Sequence, residues 1–189
     1  MRIVSGAFRG KALAAPAGSA TRPTSDRARQ AVFNILEHAP WAPGLRDARV
    51  IDLFAGSGAL GLEALSRGAA FCLFVESDAA ARGAIRENVE AMQLFGRTRV
   101  HRRDATELGV RPGADEPAFS LAFLDPPYAK GLGETALARL AEGGWLAPGA
   151  VVVFERGADE AGFSVPGFEI LDERRYGAAR AWFLRFDDS

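Results

Sequence analysis

Cysteine, histidine and long apolar runs are scarce in this sequence, and each scarcity excludes a class of protein. The single cysteine, Cys72, rules out a disulfide within the chain, and its apolar surroundings predict a small buried side chain. The two histidines, His38 and His101, lie too far apart for metal-ligand spacing, so we expect no metal site. No apolar run is long enough to span a bilayer, and the N-terminus lacks the apolar region of a signal peptide. A cytoplasmic protein is therefore expected.

Charge is nearly balanced over the 189 residues, at a net value of −1, but it is unevenly distributed. Residues 1–30 carry a net charge of +5, so the rest of the chain carries −6. A basic N-terminal segment on an acidic remainder is typical of a local contact with a polyanion. A solvated surface arm explains the same charge equally well, so charge alone leaves both interpretations open.

Residues 1–40 are predicted to form a small extension of the main domain. Glycine and proline residues make its first part irregular, with a short hairpin around Met1–Leu13. A helix then runs from a cap at Thr24 or Ser25 to about His38, because its apolar residues recur at helical spacing.

Residues 41–189 are predicted to form one domain in which strands alternate with helices. The strands are expected at 49–54, 71–76, 97–101, 119–124, 150–155, 169–175 and 181–186, and the helices at 58–67, 78–94 and 134–142. This alternation predicts an α/β fold with a seven-stranded, mostly parallel, doubly wound sheet. The last two strands are joined by a short link that contains Gly177, which predicts a C-terminal antiparallel hairpin.

A glycine-rich turn follows the first predicted strand. Gly56, Gly58 and Gly61 form a G-x-G-x-x-G pattern, which permits a tight turn and close approach of the backbone to a ligand. Glu76 ends the next strand, where a carboxylate can accept hydrogen bonds from both hydroxyls of a ribose. Alone, this pattern indicates a dinucleotide at least as readily as any other ligand.

Two further acidic residues favour a different ligand. Asp52 lies inside the first strand, an unusual place for a charge unless it binds a cationic ligand group or the amides of the glycine turn. Asp104 and Ala105 follow the third strand, where they can meet the edge of an adenine. Together these features resemble the S-adenosylmethionine site of class I methyltransferases, which have a Rossmann-like fold. The cofactor-binding residues implied by this resemblance are Asp52, Phe54, Gly56, Ser57, Gly58, Gly61, Glu76, Asp104 and Ala105. A nicotinamide-dependent dehydrogenase is the alternative, but it leaves the next motif unexplained.

The tetrapeptide Asp125-Pro126-Pro127-Tyr128 directly follows the fourth predicted strand. The two prolines end the strand, because neither can donate a backbone hydrogen bond, and they leave a rigid turn where an open α/β sheet binds ligands. In this position the tetrapeptide resembles motif IV of amino-methyltransferases that act on exocyclic amines of nucleobases. That resemblance implies that all four residues are catalytic. Asp125 and the Pro126 carbonyl would accept the two N–H groups of the amine, and Tyr128 would stack on the base.

The segments before Leu36 resemble the RsmD family closely, namely 2–6, 8–11 and 21–36, and so do 52–61 and 63–69. Members of that family methylate the N2 amine of one guanine of bacterial 16S ribosomal RNA. The resemblance therefore implies S-adenosylmethionine as cofactor and 16S rRNA, within an assembly intermediate of the small subunit, as partner. Arg9, Lys11 and Arg22 are the candidate RNA contacts. Arg27 and Arg29 could face either the carboxylate of the cofactor or the helix surface. A monomer is expected.

Two other functions stay open at this point. A DNA amino-methyltransferase would use the same motif IV, but the 189 residues contain no separate target-recognition domain. A catalytically silent RNA-binding assembly factor would keep the fold, but it has no need of an intact Asp125–Tyr128 motif. If the protein binds RNA, whether as a methyltransferase or as a silent assembly factor, the C-terminal hairpin could also reach that RNA through Arg174, Arg175 and Tyr176.

Overall fold

The computed structural model of the protein describes residues 1–18 and 24–189. Within these residues the chain forms four α-helices and seven strands. The helices are α1 Asp26–His38, α2 Ala59–Ser66, α3 Ala79–Ala91 and α4 Leu132–Glu142. The strands are β1 Arg49–Leu53, β2 Phe71–Val75, β3 Thr98–His101, β4 Phe119–Leu124, β5 Leu146–Gly157, β6 Phe168–Tyr176 and β7 Ala179–Phe186. None of the described helices is both long and apolar enough to cross a membrane.

Every predicted strand and helix is confirmed, with small differences at the ends. Ser25 caps α1, since its hydroxyl accepts a hydrogen bond from the Ala28 amide at 3.0 Å. The third helix ends earlier than predicted, because Gln93 adopts a left-handed conformation with φ of 54°. The strand β5 begins four residues earlier than predicted, at Leu146, where it pairs with Phe119.

The sheet has the order β3-β2-β1-β4-β5-β7-β6. The first five strands are parallel, and β7 is antiparallel to both of its neighbours, so the predicted C-terminal hairpin is confirmed. The chain winds outward from β1 to β3 and then returns to start β4 on the other side of β1. A crevice forms at such a reversal, beyond the carboxyl ends of the two central strands, and this is where open α/β sheets bind ligands.

Helices cover both faces of the sheet, and alternate strand residues contribute to two core layers. One layer contains Phe33 of α1, Leu62 of α2 and Phe123 of β4. The other layer contains Leu137 of α4 together with strand residues such as Leu124. Because α1, α2 and α3 lie on the first face, a polar side chain on that face at the carboxyl edge points toward these three helices.

The N-terminal segment packs on α2 as part of the same core. Arg2 and Ala12 form one antiparallel bridge, the smallest form of the predicted hairpin, and the side chains of Ile3 and Leu13 are buried in the first core layer. The tight loop at Gly6, with φ of 85°, lies against the end of α2, where a Cβ at this position would be 2.0 Å from the Ser66 carbonyl oxygen. The predicted boundary at residue 40, between an N-terminal extension and the main domain, stays a prediction, since residues on both sides of it contribute to the first core layer.

A buried carboxylate connects this segment to the domain. The side chain of Glu63 is fully buried, and its two oxygens accept hydrogen bonds from the Val4 amide at 2.9 Å and the Ser5 amide at 3.0 Å. Arg67 approaches the same carboxylate at 3.0 Å and Arg29 at 3.4 Å. Glu63 therefore holds two cations and two backbone amides, which compensates for the burial of its charge.

Candidate functional site

Four carboxylates lie at the carboxyl edge of the sheet, on the face covered by α1, α2 and α3. Asp52 pairs with Phe74 and Phe123, which belong to the core layer on that face. Because side chains alternate along a strand, Glu76, Asp125 and Glu155 fall on the same face of β2, β4 and β5. Among them only Glu155 was not singled out from the sequence.

The glycine turn after β1 has the geometry that the sequence pattern predicts. Gly56 and Gly58 both lie in the left-handed region, with φ of 59° and 81°. Phe54 shares this conformation at φ of 55°, which is uncommon for an aromatic residue and indicates a constrained turn. A Cβ at Gly61 would lie 2.5 Å from the sulfur of Cys72, so this glycine permits close packing of α2 on β2. Cys72 is buried and free, as expected.

Asp52 is buried beneath this turn. Its Oδ2 accepts a hydrogen bond from the Gly61 amide at 3.0 Å, so it binds an amide of the glycine segment, one of the two roles predicted for it. Burial raises the pKa of Asp52 well above the ordinary value, the Gly61 amide opposes this shift, and the charge of Glu76 adds to it. Any part in holding a cofactor remains a prediction.

Glu76 fixes the other side of the turn. One of its oxygens accepts the Gly56 amide at 2.8 Å and the other accepts the Asp78 amide at 3.0 Å. Each carboxylate oxygen has two lone pairs, so both can still accept a hydroxyl group. Arg82, which the sequence analysis missed, is buried nearby and donates to the carbonyl oxygens of Ser77 at 2.6 Å and Glu76 at 3.3 Å. It therefore holds the loop in which Glu76 lies.

The remaining predicted cofactor residues differ in exposure. Asp104 is exposed and caps a short 3₁₀ turn, Ala105–Glu107, by accepting the Thr106 amide at 2.8 Å. Ala105 packs into the second core layer, so its side chain faces the interior. Ser57 is buried, and its carbonyl oxygen accepts a hydrogen bond from Asn88 Nδ2 at 3.0 Å.

Asn88 of α3 connects the glycine turn to the N-terminal segment. Besides its bond to Ser57, its amide group accepts from the Ala14 amide at 2.7 Å and donates to the Ala14 carbonyl at 3.1 Å. The first 14 residues thus extend along α2 from its C-terminal end back to the turn before its N-terminal end. No sequence signal identified Asn88, because its partners are 74 and 31 residues away.

The turn and its carboxylates fit an S-adenosylmethionine molecule. A Cβ at Gly56 would meet no other atom within 4 Å, so the backbone there borders open space. Helix α2 begins at Gly58 without a cap from that residue, and Asp52 accepts only the Gly61 amide, which leaves the Ala59 and Leu60 amides for a carboxylate such as that of the methionine moiety. Glu76 has acceptor capacity for ribose hydroxyls. The cofactor, when bound, supplies an electrophilic methyl group on a positively charged sulfur, which the carboxylates of this edge attract.

Asp125 lies directly after β4, on the same face as Asp52. Burial raises its pKa well above the ordinary value, and the nearby charges of Glu155 and Asp52 raise it further. Pro126 is buried and Pro127 is exposed, so the turn projects from the edge of the sheet. Tyr128 donates its hydroxyl to Glu155 Oε1 at 3.1 Å.

The end of this turn is held by a second carboxylate that the sequence analysis missed. Ala129 has a left-handed conformation with φ of 60°, and its amide donates to Glu160 Oε1 at 3.0 Å. The same oxygen accepts the Gly157 amide at 3.0 Å. The buried Arg156 pairs with Glu160 at 3.3 Å and with Glu134 at 2.7 Å. These contacts join the motif IV turn to β5 and α4.

A cavity of about 210 Å³ opens beside this turn. Its walls include two aromatic side chains, Tyr128 and Tyr176, and one carboxylate, Glu155. The other lining residues are Thr24, Ser25, Ala28, Val32, Ala178, Ala179 and Ala181. The cavity therefore combines flat aromatic surfaces with a hydrogen-bond acceptor, a combination that suits a nucleobase.

The predicted RNA-contacting residues have different positions. Arg9 and Lys11 are exposed in the N-terminal segment, and neither forms an ion pair with another described residue. Arg22 lies outside the described residues. Arg27 is exposed on α1. Arg29 faces neither the cofactor nor the helix surface, the two positions predicted for it: it is fully buried against Glu63.

The exposed arginines of the C-terminal hairpin are partly engaged by carboxylates. Arg174 pairs with Asp172 at 3.0 Å, and Arg175 lies 3.7 Å from Asp159. Both pairs are solvent-exposed, so water and salt screen them and the arginines can exchange these partners for phosphates. Tyr176 lines the cavity beside the motif IV turn.

Replacing Glu76 by alanine is expected to weaken S-adenosylmethionine binding by about 10- to 100-fold, because the predicted acceptor for the ribose and the partner of the Gly56 amide are both removed. Isothermal titration calorimetry measures this change. The matched control is Glu90→Ala, which removes an exposed carboxylate of α3 and should leave the affinity unaltered. Equal affinities for Glu76→Ala and the unsubstituted protein would show that Glu76 does not bind the cofactor.

The fold and this site define a class I S-adenosylmethionine-dependent methyltransferase. At 14% identity, the structure of an RNA methyltransferase from Salinibacter ruber in complex with S-adenosyl-L-homocysteine shares the fold, with a TM-score of 0.65 over 89% of this chain and 95% of that chain. The family described as conserved hypothetical protein 95 matches residues 1–185. The chain belongs to this family, which is the RsmD family.

Curated relatives support the same assignment. The ribosomal RNA small subunit methyltransferase D of Escherichia coli K12 is 37% identical over 184 residues, which cover 97% of this chain and 88% of the relative. The protein of the same name from Haemophilus influenzae is 32% identical, over 94% of this chain and 89% of the relative. The structure of a putative methyltransferase from Escherichia coli superposes with a TM-score of 0.84 at 33% identity, covering 100% of this chain and 99% of that one.

Proposed function

We propose that this protein transfers a methyl group from S-adenosylmethionine to the exocyclic N2 amine of one guanine in 16S rRNA. The observation that carries the proposal is the cavity at motif IV, where Tyr128 and Glu155 lie next to Asp125 and across the carboxyl edge from the cofactor turn. The names of the curated relatives support ribosomal RNA as the substrate. An assembly intermediate of the small subunit, in which the target is still accessible, is the proposed particle, and the proposed site of action is the cytoplasm.

The reaction needs a nitrogen that is a better nucleophile than a free guanine amine, whose lone pair is delocalised into the ring. Asp125 and the Pro126 carbonyl accept the two N2–H groups and orient the lone pair toward the methyl carbon. The N2–C bond forms as the S–C bond breaks, and the electron pair of that bond stays on sulfur. The carboxylate of Asp125 stabilises the positive charge that develops on N2. One N2 proton then leaves to Asp125 or to water.

In the proposed roles, one end of the site binds the cofactor and the other end binds the target base. Asp52, Phe54, Gly56, Ser57, Gly58, Gly61, Glu76, Asp104 and Ala105 are the proposed cofactor contacts. Tyr128 stacks on the target base, an interaction worth about 1–3 kcal/mol. A base held in a helix must first leave the stack, at a cost of a few kcal/mol, so an unpaired loop nucleotide is the more accessible target.

The function is tested by incubating the full-length protein with labelled S-adenosylmethionine and small-subunit particles from a strain that lacks the gene. The expected result is label in N2-methylguanosine at one position of 16S rRNA, with none in double-stranded DNA. Label in N6-methyladenine or N4-methylcytosine of DNA would contradict the proposal and favour a DNA amino-methyltransferase. Binding of the particle without any transfer would favour a silent assembly factor.

The exposed cations of the N-terminal segment are proposed to contact the RNA backbone, together with Arg22. Replacing both Arg9 and Lys11 by alanine is expected to weaken binding to the particle and to reduce its salt dependence, by about 0.7–0.9 in the log–log slope for each phosphate that is no longer neutralised. Filter binding at several salt concentrations measures both effects. The matched control replaces Arg99 and Arg102, two exposed arginines at the β3 edge. An equal reduction of the affinity and of its salt dependence in both double variants would show a general charge effect instead of a local interaction.

A further inference from the structure

The pairing of β4 with β5 places Glu155 next to Asp125. Leu124 and Phe154 are register partners in these parallel strands, and Asp125 and Glu155 are the next residues along each strand. Neighbouring strands lie about 4.8 Å apart, so the two carboxylates leave the sheet side by side. Leu124 and Phe154 face the α4 side, so their successors face the α1 side, where the cavity lies.

Two hydrogen bonds hold the Glu155 carboxylate in place, and they leave part of its hydrogen-bond acceptor capacity for a ligand. Its Oε1 accepts the Tyr128 hydroxyl at 3.1 Å, and its Oε2 accepts the Thr24 hydroxyl at 3.2 Å. An ionised carboxylate offers about four acceptor positions, so these bonds leave capacity for further donors. Within residues 1–18 and 24–189, no lysine or arginine forms an ion pair with Glu155. A half-buried carboxylate in a cavity wall, with its orientation fixed by two hydroxyls, is arranged to accept an N–H group from a ligand.

We propose that Glu155 accepts the N1–H of the target guanine while the neighbouring Asp125 accepts an N–H of its N2 amine, so that Glu155 determines which base is methylated. In guanine the amine stands next to a ring nitrogen that carries a hydrogen. In adenine and cytosine the ring nitrogen next to the amine is an acceptor. Two adjacent carboxylates therefore match the edge of guanine and oppose the other two bases, whose ring lone pair would face an unpaired carboxylate.

This inference rests on the proposed function, because it takes guanine N2 as the acceptor of the methyl group. It adds a specificity-determining residue that lies outside motif IV. The alternative is that Glu155 serves only to position Tyr128 and the start of α1. A purely positioning role would affect all substrates alike, whereas acceptance of the N1–H would affect only bases that carry that hydrogen.

The test uses 2-aminopurine, which keeps the amine on C2 but has an acceptor at N1. Small-subunit particles are reconstituted with guanine or 2-aminopurine at the methylated position, and kcat/KM is measured for the full-length protein and for Glu155→Gln. The unsubstituted protein should prefer guanine. In Glu155→Gln this preference should fall by about 10- to 100-fold, since the glutamine amide can donate to the N1 of 2-aminopurine.

The control variant is Glu169→Gln, which makes the same substitution at an exposed carboxylate of β6 outside the cavity lining, and which should retain the preference for guanine. Calorimetric binding of S-adenosylmethionine verifies that both variants are folded. An unchanged preference in Glu155→Gln, with guanine N2 still methylated by the unsubstituted protein, would overturn the role of Glu155 alone. Transfer by the unsubstituted protein to an adenine or cytosine amine, or to no base, would overturn this role together with the proposed function.

Discussion

Replacing Asp125 by asparagine is expected to lower methyl transfer by about 10²- to 10³-fold while leaving S-adenosylmethionine binding largely intact. Asparagine has nearly the same shape as aspartate, so the turn after β4 can form unchanged. It lacks the negative charge that, in the proposed reaction, stabilises the developing positive charge on the target amine. Single-turnover kinetics on small-subunit particles measure the decrease, and calorimetry measures cofactor binding. Loss of cofactor binding would show that Asp125 belongs to the cofactor site instead.

The same substitution is expected to stabilise the fold at neutral pH. Burial, Glu155 and Asp52 raise the pKa of Asp125 in the folded state above its value in the unfolded chain. The folded state then binds the proton more tightly, so the stability of the protein falls as pH rises from the ordinary carboxylate pKa through the raised one. An asparagine at this position does not titrate, which makes the Asp125→Asn variant the more stable protein above that window. Below the window the difference should be smallest.

Thermal unfolding of both proteins from about pH 4 to pH 8 measures this pH dependence. The matched control is Asp115→Asn in an exposed loop, which should leave the melting temperature unchanged across the range. A lower melting temperature for Asp125→Asn at the alkaline end would mean that the carboxylate stabilises the turn. A higher melting temperature for Asp125→Asn at the alkaline end, which is the expected result, would show that the charge of Asp125 costs stability and is retained for catalysis.

Replacing Glu63 by glutamine is expected to lower the free energy of unfolding by about 3–5 kcal/mol. The side chains of Glu63, Arg29 and Arg67 are almost completely buried, so removal of the Glu63 charge leaves the two arginines with only their more exposed partners, Asp26 and Glu37. Glutamine has only one oxygen, so the Val4 and Ser5 amides also compete for a single acceptor. Urea denaturation, with the slope checked for two-state behaviour, measures the change.

Glu37 provides the control for this prediction, because it is the outer carboxylate partner of Arg67. Its side chain is 32% exposed and lies 3.3 Å from Arg67, so Glu37→Gln should cost less than about 1 kcal/mol. A similarly small effect for Glu63→Gln would mean that the arginines find other partners or water. The prediction also bears on experiments with truncated chains, since removal of residues 1–14 would deprive Glu63 of both amide donors and remove Ile3 and Leu13 from the core.

The carboxylates at the sheet edge explain why this site suits a cofactor with a positive charge, such as the sulfonium of S-adenosylmethionine. Asp52, Asp125 and Glu155 all have a raised pKa, chiefly because full or partial burial disfavours the charged form, and neighbouring carboxylates add to the shift at Asp52 and Asp125. A bound sulfonium adds positive charge beside these carboxylates, and it favours the ionised form of each carboxylate near it. Under the proposed function, cofactor binding and ionisation of Asp125 would therefore support each other.

Local signals in the sequence determined the order of the elements, the class of fold and the two turns at its functional edge. The G-x-G-x-x-G pattern and the Asp125–Tyr128 motif lie within a few residues of the strands that position them, so short-range chemistry specifies them. The same holds for the Ser25 cap of α1. The predicted position of Arg29 was wrong, because its partner Glu63 is 34 residues away and only the packing of α1 on α2 brings them together.

Tertiary structure alone decided the positions and partners of Asn88, Glu63 and Glu155. Glu155 lies within a predicted strand and has no motif around it. It becomes a neighbour of Asp125 only through the register of β4 with β5, and a shift of one residue would turn its side chain to the opposite face. That register depends on core contacts between residues far apart in the chain. The sequence thus determined the residue types of the two turns, and the sheet register decided which side chains stand beside Asp125.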